Sequence, residues 1–253
     1  MHRDLFKRIG RGIVPFVIFF GSWILLTEVW QIKDVFLPTI PRVFSILGTL
    51  FLKDKYAVDM FVSIYRVMAA FAISAVLAIP LGLYTGHSKR MAEVVEPFVG
   101  FVRYLPVPAF VPLCILWFGL GHNSKIAVIF LGTFFQLILM VADVAREVPT
   151  SLFEAALTLG GTKKHLMLKV LWPASLPGIV NACRIAIGWA WTYLVVAEIA
   201  GATSGLGFRI IEAQRYVKTP NVFAGIVVIG LLGIITDLLF RSFHKFMFPW
   251  LES

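Results

Sequence analysis

Charged side chains are scarce in this chain: only 15% of its 253 residues are Asp, Glu, Lys or Arg, whereas 59% are hydrophobic. A soluble domain needs far less apolar surface to fill its core, so the composition favours a membrane protein. Lipid offers no hydrogen bonds to the backbone, and only helices or a closed barrel can therefore cross a bilayer. Continuous apolar runs such as 71–83 lack the alternation of barrel strands. We therefore predict an all-α, multi-pass membrane protein.

Side chains suited to catalysis or metal binding are also few. The two cysteines, Cys114 and Cys183, lie in apolar runs, and we predict that both are buried without a disulfide or metal role. The five histidines stand between the apolar runs or at their ends, and no pair has the spacing of metal ligands. We predict no catalytic residue, no metal site and no cofactor bound by this chain. A membrane-embedded enzyme and a passive channel stay open as alternative classes.

Six apolar segments are long enough to cross a bilayer, and they predict one transmembrane domain over residues 1–253. The predicted spans are 13–30, 61–86, 94–119, 125–145, 178–200 and 222–243. The first is too long for the apolar region of a cleaved secretory signal, so we expect it to remain as a span. The third contains Pro106, Pro108 and Pro112, each of which lacks a backbone donor, and we predict a helix, a break and a second helix there.

The formal net charge of +9 comes from lysines and arginines that lie mostly between the spans. We attribute this excess to membrane orientation and expect no nucleic-acid partner. The bias between the two faces of the membrane predicts that both termini are cytoplasmic. Between the first two spans, the apolar residues of 38–55 recur at helical spacing, and we predict a short helix along the outer interface.

A polar, basic segment at 154–179 interrupts the apolar runs and falls on the predicted cytoplasmic face. Thr150 or Ser151 is expected to cap a short helix, with Glu154 completing a capping box. A break is expected at Gly160-Gly161. Thr162 is then expected to cap a second helix, from Lys163 to about Leu171, that stops before Pro173. Both helices are predicted to be too short and polar to span, and from spacing alone an ordinary interfacial loop is an equally good interpretation.

Glu154-Ala155-Ala156, followed by Gly160 and by Val170-Leu171-Trp172-Pro173, resembles the signature loop of ATP-binding-cassette (ABC) importer permeases. Trp172 stands where leucine is usual. Further stretches resemble the nitrate, sulfonate, taurine and bicarbonate permeases, and they are FLPTIPRVFSIL, SIYRVMAAFAISAVLAIPLGLYTG, RYLPVPAFVPLCILWFGLG and VVAEIAGATSGLGFRI. The resemblance implies a type I ABC importer permease fold of about six transmembrane helices in a bacterial inner membrane. Its cytoplasmic coupling helix would lie in the loop at about 150–172.

The same resemblance implies the partners and the cargo. We expect a homodimer of this chain, two cytoplasmic ATPase subunits that bind ATP and Mg²⁺, and an external substrate-binding protein. The chain itself has no GxxxxGK[ST] phosphate loop. The implied cargo is a small anion of the nitrate, sulfonate, taurine or bicarbonate class, and a vitamin precursor or other small organic solute is the alternative. The residues expected to couple to the ATPase are Glu154, Ala155, Ala156, Leu157, Gly160 and Gly161.

Polar and aromatic residues within the predicted spans are candidates for the substrate pathway. Arg66 and Glu198 are predicted to pair with each other or to line the outer mouth. Arg103 and Arg184 could attract a small anion, or could instead satisfy free carbonyls or reach an interface. Trp189 and Tyr193 share one helical face and could line the pathway, pack inside the bundle or form a dimer seam. After the fifth span, the glycine-rich segment 202–207 is expected to form either a flexible outer loop or a plain glycine-rich turn.

Overall fold

The computed structural model describes residues 2–53 and 55–251, and within these ranges the regular structure is helical, without strands. The prediction of an all-helical fold is therefore confirmed. Short π-helical turns lie at Leu25–Val29 and Leu166–Leu171, and a 3-10 turn lies at Pro249–Leu251. The α-helices are α1 (His2–Ile24), α2 (Ile40–Lys53), α3 (Tyr56–His87), α4 (Lys89–Val102), α5 (Val107–Phe118), α6 (His122–Arg146), α7 (Thr150–Thr158), α8 (Lys163–His165), α9 (Trp172–Ile199), α10 (Leu206–Arg215) and α11 (Thr219–Met247).

Four helical segments of the described chain are long and apolar enough to cross a membrane: α3, α6, the continuous helix Lys163–Ile199 and α11. They coincide with four of the predicted spans. The predicted third span is the pair α4 and α5, whose axes meet at 93°. The predicted first span corresponds to α1 and the π-helical turn that follows it, where the apolar stretch Ile13–Val29 is shorter than the four long segments.

The bend between α4 and α5 begins at Arg103, where local turns replace the helical hydrogen bonds. The amide of Tyr104 donates to Phe101 O over 3.1 Å, and that of Leu105 donates to Val102 O over 3.0 Å. Pro106 then occupies the N-cap of α5 and has no N–H to continue the ladder. The predicted break in this span is thus confirmed, with Pro106 at the break and Pro112 within the second helix.

Contacts divide the chain into two compact units, and the larger contains Asp59–Phe208 together with the described residues from Ile229 onward. Its core is built around α6 and α9. Small buried residues recur along α9 at Ala182, Ala186 and Ala190, which lets the two helices approach closely. α3 also packs tightly against α6, because a methyl group added at Gly82 would lie only 2.7 Å from the Ile138 carbonyl oxygen.

Gly86, one helical turn beyond Gly82, gives a direct test of this packing. A methyl group added at Gly86 would lie 2.6 Å from Ala145 Cβ. We expect Gly86→Leu to lower the free energy of unfolding by about 1–3 kcal/mol, the usual cost of overpacking. The midpoint of thermal unfolding in detergent measures this loss of stability. Gly48→Leu is the control because nothing lies near that glycine, and an equal loss in both variants would contradict the close α3–α6 packing.

The smaller unit contains the described residues up to Val58 together with Arg209–Val228. The Trp23 indole N–H donates to Pro38 O over 2.8 Å, and its ring packs against Phe223 at 5.3 Å. The predicted helix within 38–55 is confirmed as α2. Thr219 Oγ1 donates to Val35 O over 2.7 Å, which fixes the start of α11 to the segment before α2.

Candidate functional site

The short helix α7 presents the predicted coupling residues on an exposed bend. The amide of Gly161 donates to Ala156 O over 2.8 Å, and that of Gly160 donates to Leu157 O over 2.9 Å. These two bonds form a Schellman motif, which requires a left-handed residue after the helix. Gly160 supplies it with φ of 79°. A side chain at Gly161 would meet the Ala156 carbonyl oxygen at 2.6 Å, so both glycines are needed. The break predicted at these glycines is confirmed.

Leu159 lies at the tip of this bend and is 88% exposed, although it is a large apolar side chain. Leu152 and Leu157 on α7 are exposed as well. Phe153 faces inward, where its ring lies 5.4 Å from that of His87. The sequence reasoning missed Leu159. The pattern that could have indicated its exposure is a leucine directly before a glycine pair that ends a helix.

Two predictions for this segment are wrong. Pro149 holds the N-cap of α7 and no side chain caps the helix, so the Ser151 and Glu154 capping box does not form. The second helix does not stop before Pro173 but continues to Ile199. Its first residues pass into a π-helical turn, where the Trp172 amide bonds five residues back to Met167 O. Pro173 follows this change of register, and its missing N–H does not end the helix.

The predicted cap at Thr162 is confirmed, since Thr162 Oγ1 accepts from the His165 amide over 3.4 Å and His165 Nδ1 faces the Thr162 amide at 3.5 Å. As a result, one continuous helix runs from just after the exposed bend into the core of the larger unit. Any displacement of the bend would act directly on this helix.

A cavity of about 320 Å³ lies in the larger unit beside the bend between α4 and α5. This volume is typical of sites for small solutes. Three of the predicted pathway residues, Arg103, Trp189 and Tyr193, line it together. The full lining is Val102, Arg103, Val107, Leu131, Gly132, Phe135, Gln136, Trp189, Thr192 and Tyr193.

Arg103 is the one charged residue of this lining. Its Nη2 donates to Tyr104 Oη over 2.9 Å, and its guanidinium carbon lies 4.8 Å from the centre of the Tyr104 ring. This contact leaves most of its N–H donors for a ligand. The amide of Gln136 and the hydroxyl of Thr192 add neutral hydrogen-bonding groups. The cavity is thus cationic, small and rich in donors, which suits a small anion.

Gln136 and Thr192 were not among the predicted pathway residues. Gln136 could have been found, because it is a lone amide inside an apolar span, and such a residue usually faces the bundle interior or water. Tyr193 has a packing role as well as a lining role, since its ring fills the space above Gly132 of α6. No sequence pattern distinguishes these two roles.

Arg66 and Glu198 form a buried ion pair, which confirms that they pair. Arg66 Nη1 lies 2.6 Å from Glu198 Oε1, and their side chains are 4% and 0% exposed. Glu198 also accepts from Ser63 Oγ at 2.8 Å and from the Gly207 amide at 2.7 Å. Neither charge lines the cavity that contains Arg103, so a pathway role for this pair stays a prediction.

Residues 204–207 are hydrogen-bonded to this ion pair and to its neighbours, which favours the predicted glycine-rich turn over a flexible outer loop. Arg66 Nη1 donates to Ser204 O over 2.7 Å. The amides of Gly205 and Leu206 donate to Asp59 Oδ1 and Ser63 Oγ, each over 2.8 Å. The first amides of α10, which have no partner within the helix, are therefore satisfied by side chains of α3 and α9.

Lys125 lies at the start of a predicted span, where a solvated charge would be expected, but only 1% of it is exposed. Its Nζ donates to Leu120 O over 2.7 Å and to Gly201 O over 3.2 Å, and it therefore joins the end of α5 to the end of α9.

Arg184 is the remaining predicted pathway residue. Its Nε lies 3.1 Å from Asp237 Oδ1, away from the Arg103 cavity.

Comparison with known families gives a match over residues 78–249 to the family described as "Binding-protein-dependent transport system inner membrane component". A Bacillus subtilis protein named as an aliphatic sulfonates transport permease is 33% identical over 249 residues, which are 98% of this chain and 90% of that protein. The taurine transport system permease of Escherichia coli is 29% identical over 97% of this chain and 91% of its own length.

Among solved structures, a chain of the MetNI methionine ABC transporter in an inward-facing conformation has a similar fold. The TM-score is 0.68, with 20% sequence identity over 75% of this chain and 94% of that chain. At this sequence identity, the similarity concerns the fold alone.

Proposed function

Because this chain belongs to the family of binding-protein-dependent transport system inner membrane components and is an ABC transporter permease, we propose that it forms the import pathway for a small organic anion of the sulfonate class. The observation that carries this proposal is the cavity of about 320 Å³ at the broken helix, whose one charged lining residue is Arg103. Broken helices commonly build substrate sites inside membrane transporters. The names of the sulfonate and taurine relatives support this cargo class.

The cavity assigns roles to three of the predicted pathway residues. Arg103 attracts the anion and binds it through charge-assisted hydrogen bonds. Trp189 and Tyr193 provide apolar walls that exclude other ions and position the organic part of the solute. Thr192 and Gln136 complete the hydrogen bonds.

The exposed α7 bend is the proposed docking surface for an ATPase subunit. Glu154, Ala155 and Leu157 lie on the exposed helix, and Ala156, Gly160 and Gly161 form the Schellman bend that follows. The apolar Leu159 at the tip fits a partner's cleft better than it fits water. ATP and Mg²⁺ would bind to the ATPase, whereas this chain supplies no catalytic group.

The complete importer in this proposal contains two copies of this chain, two ATPase subunits and an external substrate-binding protein. Both termini and α7 lie in the cytoplasm, in keeping with the distribution of lysine and arginine. The alternative cargo is a vitamin precursor or other small organic solute, and an uncharged solute of this kind would not be attracted by the Arg103 charge.

Arg103→Gln tests the cargo assignment in the assembled importer reconstituted in proteoliposomes. We expect the half-saturating concentration for taurine uptake to rise about tenfold or more, because a charge-assisted hydrogen bond worth about 1.5–3 kcal/mol is lost. Arg103→Lys should retain part of the affinity. Arg90→Gln, on an exposed position of α4 outside the cavity, is the control.

Uptake of taurine that is equal in Arg103→Gln and Arg90→Gln would overturn the role of Arg103. Ion flux through the isolated chain without any ATPase would instead support a passive channel.

A further inference from the structure

A second cavity, of about 520 Å³, lies between the start of α9 and the end of α11 and is separate from the Arg103 cavity. Both flanking stretches belong to the larger unit, and the orientation proposed from the lysine and arginine distribution places them toward the cytoplasm, with α7. The lining is strongly basic and contains Pro177, Gly178, Asn181, Arg184, Arg241 and His244.

One carboxylate serves the two arginines of this cavity. Asp237 Oδ1 lies 3.1 Å from Arg184 Nε, and Asp237 Oδ2 lies 2.7 Å from Arg241 Nε. Two positive charges therefore share one negative charge, which leaves a net positive site. Within residues 2–53 and 55–251, Asp237 is the one carboxylate that forms an ion pair with either arginine.

The two guanidinium groups determine the ligand chemistry. An arginine fork binds an oxyanion with two parallel N–H donors, and phosphate presents several oxygens for such pairs. The shared Asp237 orients both guanidinium groups through their Nε atoms. The Asn181 amide and the His244 ring provide further donors around the same space.

The surroundings favour a lipid as the source of the phosphate. Ile185, next to Arg184 on α9, and Leu238, next to Asp237 on α11, are exposed apolar side chains that could contact acyl chains. Basic pockets between transmembrane helices at one membrane face are known to hold anionic headgroups. We propose that this cavity binds a phosphate group, supplied by the headgroup of an anionic phospholipid.

The test uses the full-length chain purified from nanodiscs of phosphatidylglycerol and phosphatidylcholine, with retained phospholipid counted by native mass spectrometry. We expect the wild-type chain to retain phosphatidylglycerol preferentially, and Arg241→Gln to lose about tenfold or more of that affinity, since a charge-assisted contact is removed. Arg184→Lys should lose part of it. Lys169→Gln removes the same charge from an exposed position on the same helical segment and is expected to match wild type.

A second arm titrates inorganic phosphate into delipidated chain by calorimetry. Binding of phosphatidylglycerol that depends on Arg241 supports the lipid source. Binding of inorganic phosphate alone, with the same dependence on Arg241, supports a phosphate site that takes a free anion. Retention and binding that are the same in Arg241→Gln and Lys169→Gln overturn the proposal. None of these readouts requires transport, so the result is independent of the proposed import function.

Discussion

Replacing Glu198 by alanine is expected to destabilise the protein by about 3–5 kcal/mol, the cost of breaking a buried ion pair by removing one partner. The Arg66 guanidinium would stay buried with its counter-ion gone. Ser63 and the Gly207 amide would also lose their acceptor. The midpoint of thermal unfolding in detergent measures the loss.

Asp143→Ala is the matched control, because Asp143 pairs with Arg146 over 2.9 Å but is 69% exposed. An exposed pair contributes about 0–1 kcal/mol. The midpoint of thermal unfolding of Glu198→Gln should lie between those of the two variants, because the glutamine side-chain oxygen can still accept from Ser63 and Gly207. A midpoint for Glu198→Ala as high as that of Asp143→Ala would show that the buried pair does not hold the fold. Arg66→Glu combined with Glu198→Arg should recover stability relative to each single reversal if pairing is the main contribution.

The elements that follow from local sequence were predicted well. Long apolar runs located the spans, because the thickness of a bilayer sets the length of the helices. The prolines at 106–112 predicted a broken helix, since a residue without an N–H cannot continue the ladder wherever it lies in the fold. Gly160-Gly161 and Thr162 predicted a bend and a cap, and both features depend on a few adjacent residues.

The features that arise from distant contacts could not be predicted in the same way. Whether 202–207 is mobile depends on Asp59, Ser63 and Arg66, which lie more than a hundred residues earlier in the chain. In the sequence, Lys125 has the position of an ordinary solvated charge at the end of a span. In the fold, its Nζ donates to Gly201 O, which is distant in the chain. A charge count by position alone cannot distinguish a buried lysine from a solvated one.

Pro173 shows why a strong local rule can fail. Proline usually ends a helix, and that rule predicted a stop before Pro173. The π-helical turn Leu166–Leu171 changes the hydrogen-bond register just before it, and the helix runs on to Ile199. The consequence is functional as well as structural. The helix that starts after the α7 bend is the same one that carries Trp189, Thr192 and Tyr193 into the Arg103 cavity.

This continuity gives the proposed import function a mechanical route. An ATPase that moves α7 would pull on the start of the Lys163–Ile199 helix through only a few residues. A stiff helix transmits that motion to the cavity with little loss, whereas a flexible loop would absorb it. The rigidity of the Schellman bend is then a requirement for coupling, because it fixes the angle between α7 and the long helix.

Gly160→Val is therefore expected to uncouple the proposed importer while leaving the permease folded. A β-branched residue at φ of 79° is strongly disfavoured, so the bend must open. Nothing lies near the position of an added side chain, and the damage should be confined to the backbone of the bend. We expect ATPase co-purification with the permease to fall at least roughly tenfold, which corresponds to about 1.4 kcal/mol of docking free energy. ATP-driven uptake should fall with it.

Gly100→Val is the matched control, because Gly100 lies in α4 with open space around it and no positive φ. Leu159→Ala separates shape from contact, since it keeps the bend and removes the exposed apolar tip. Weaker co-purification in both Gly160→Val and Leu159→Ala, with thermal midpoints close to that of Gly100→Val, would place ATPase docking on this bend. Full co-purification and uptake in Gly160→Val would mean that the ATPase docks elsewhere on the permease.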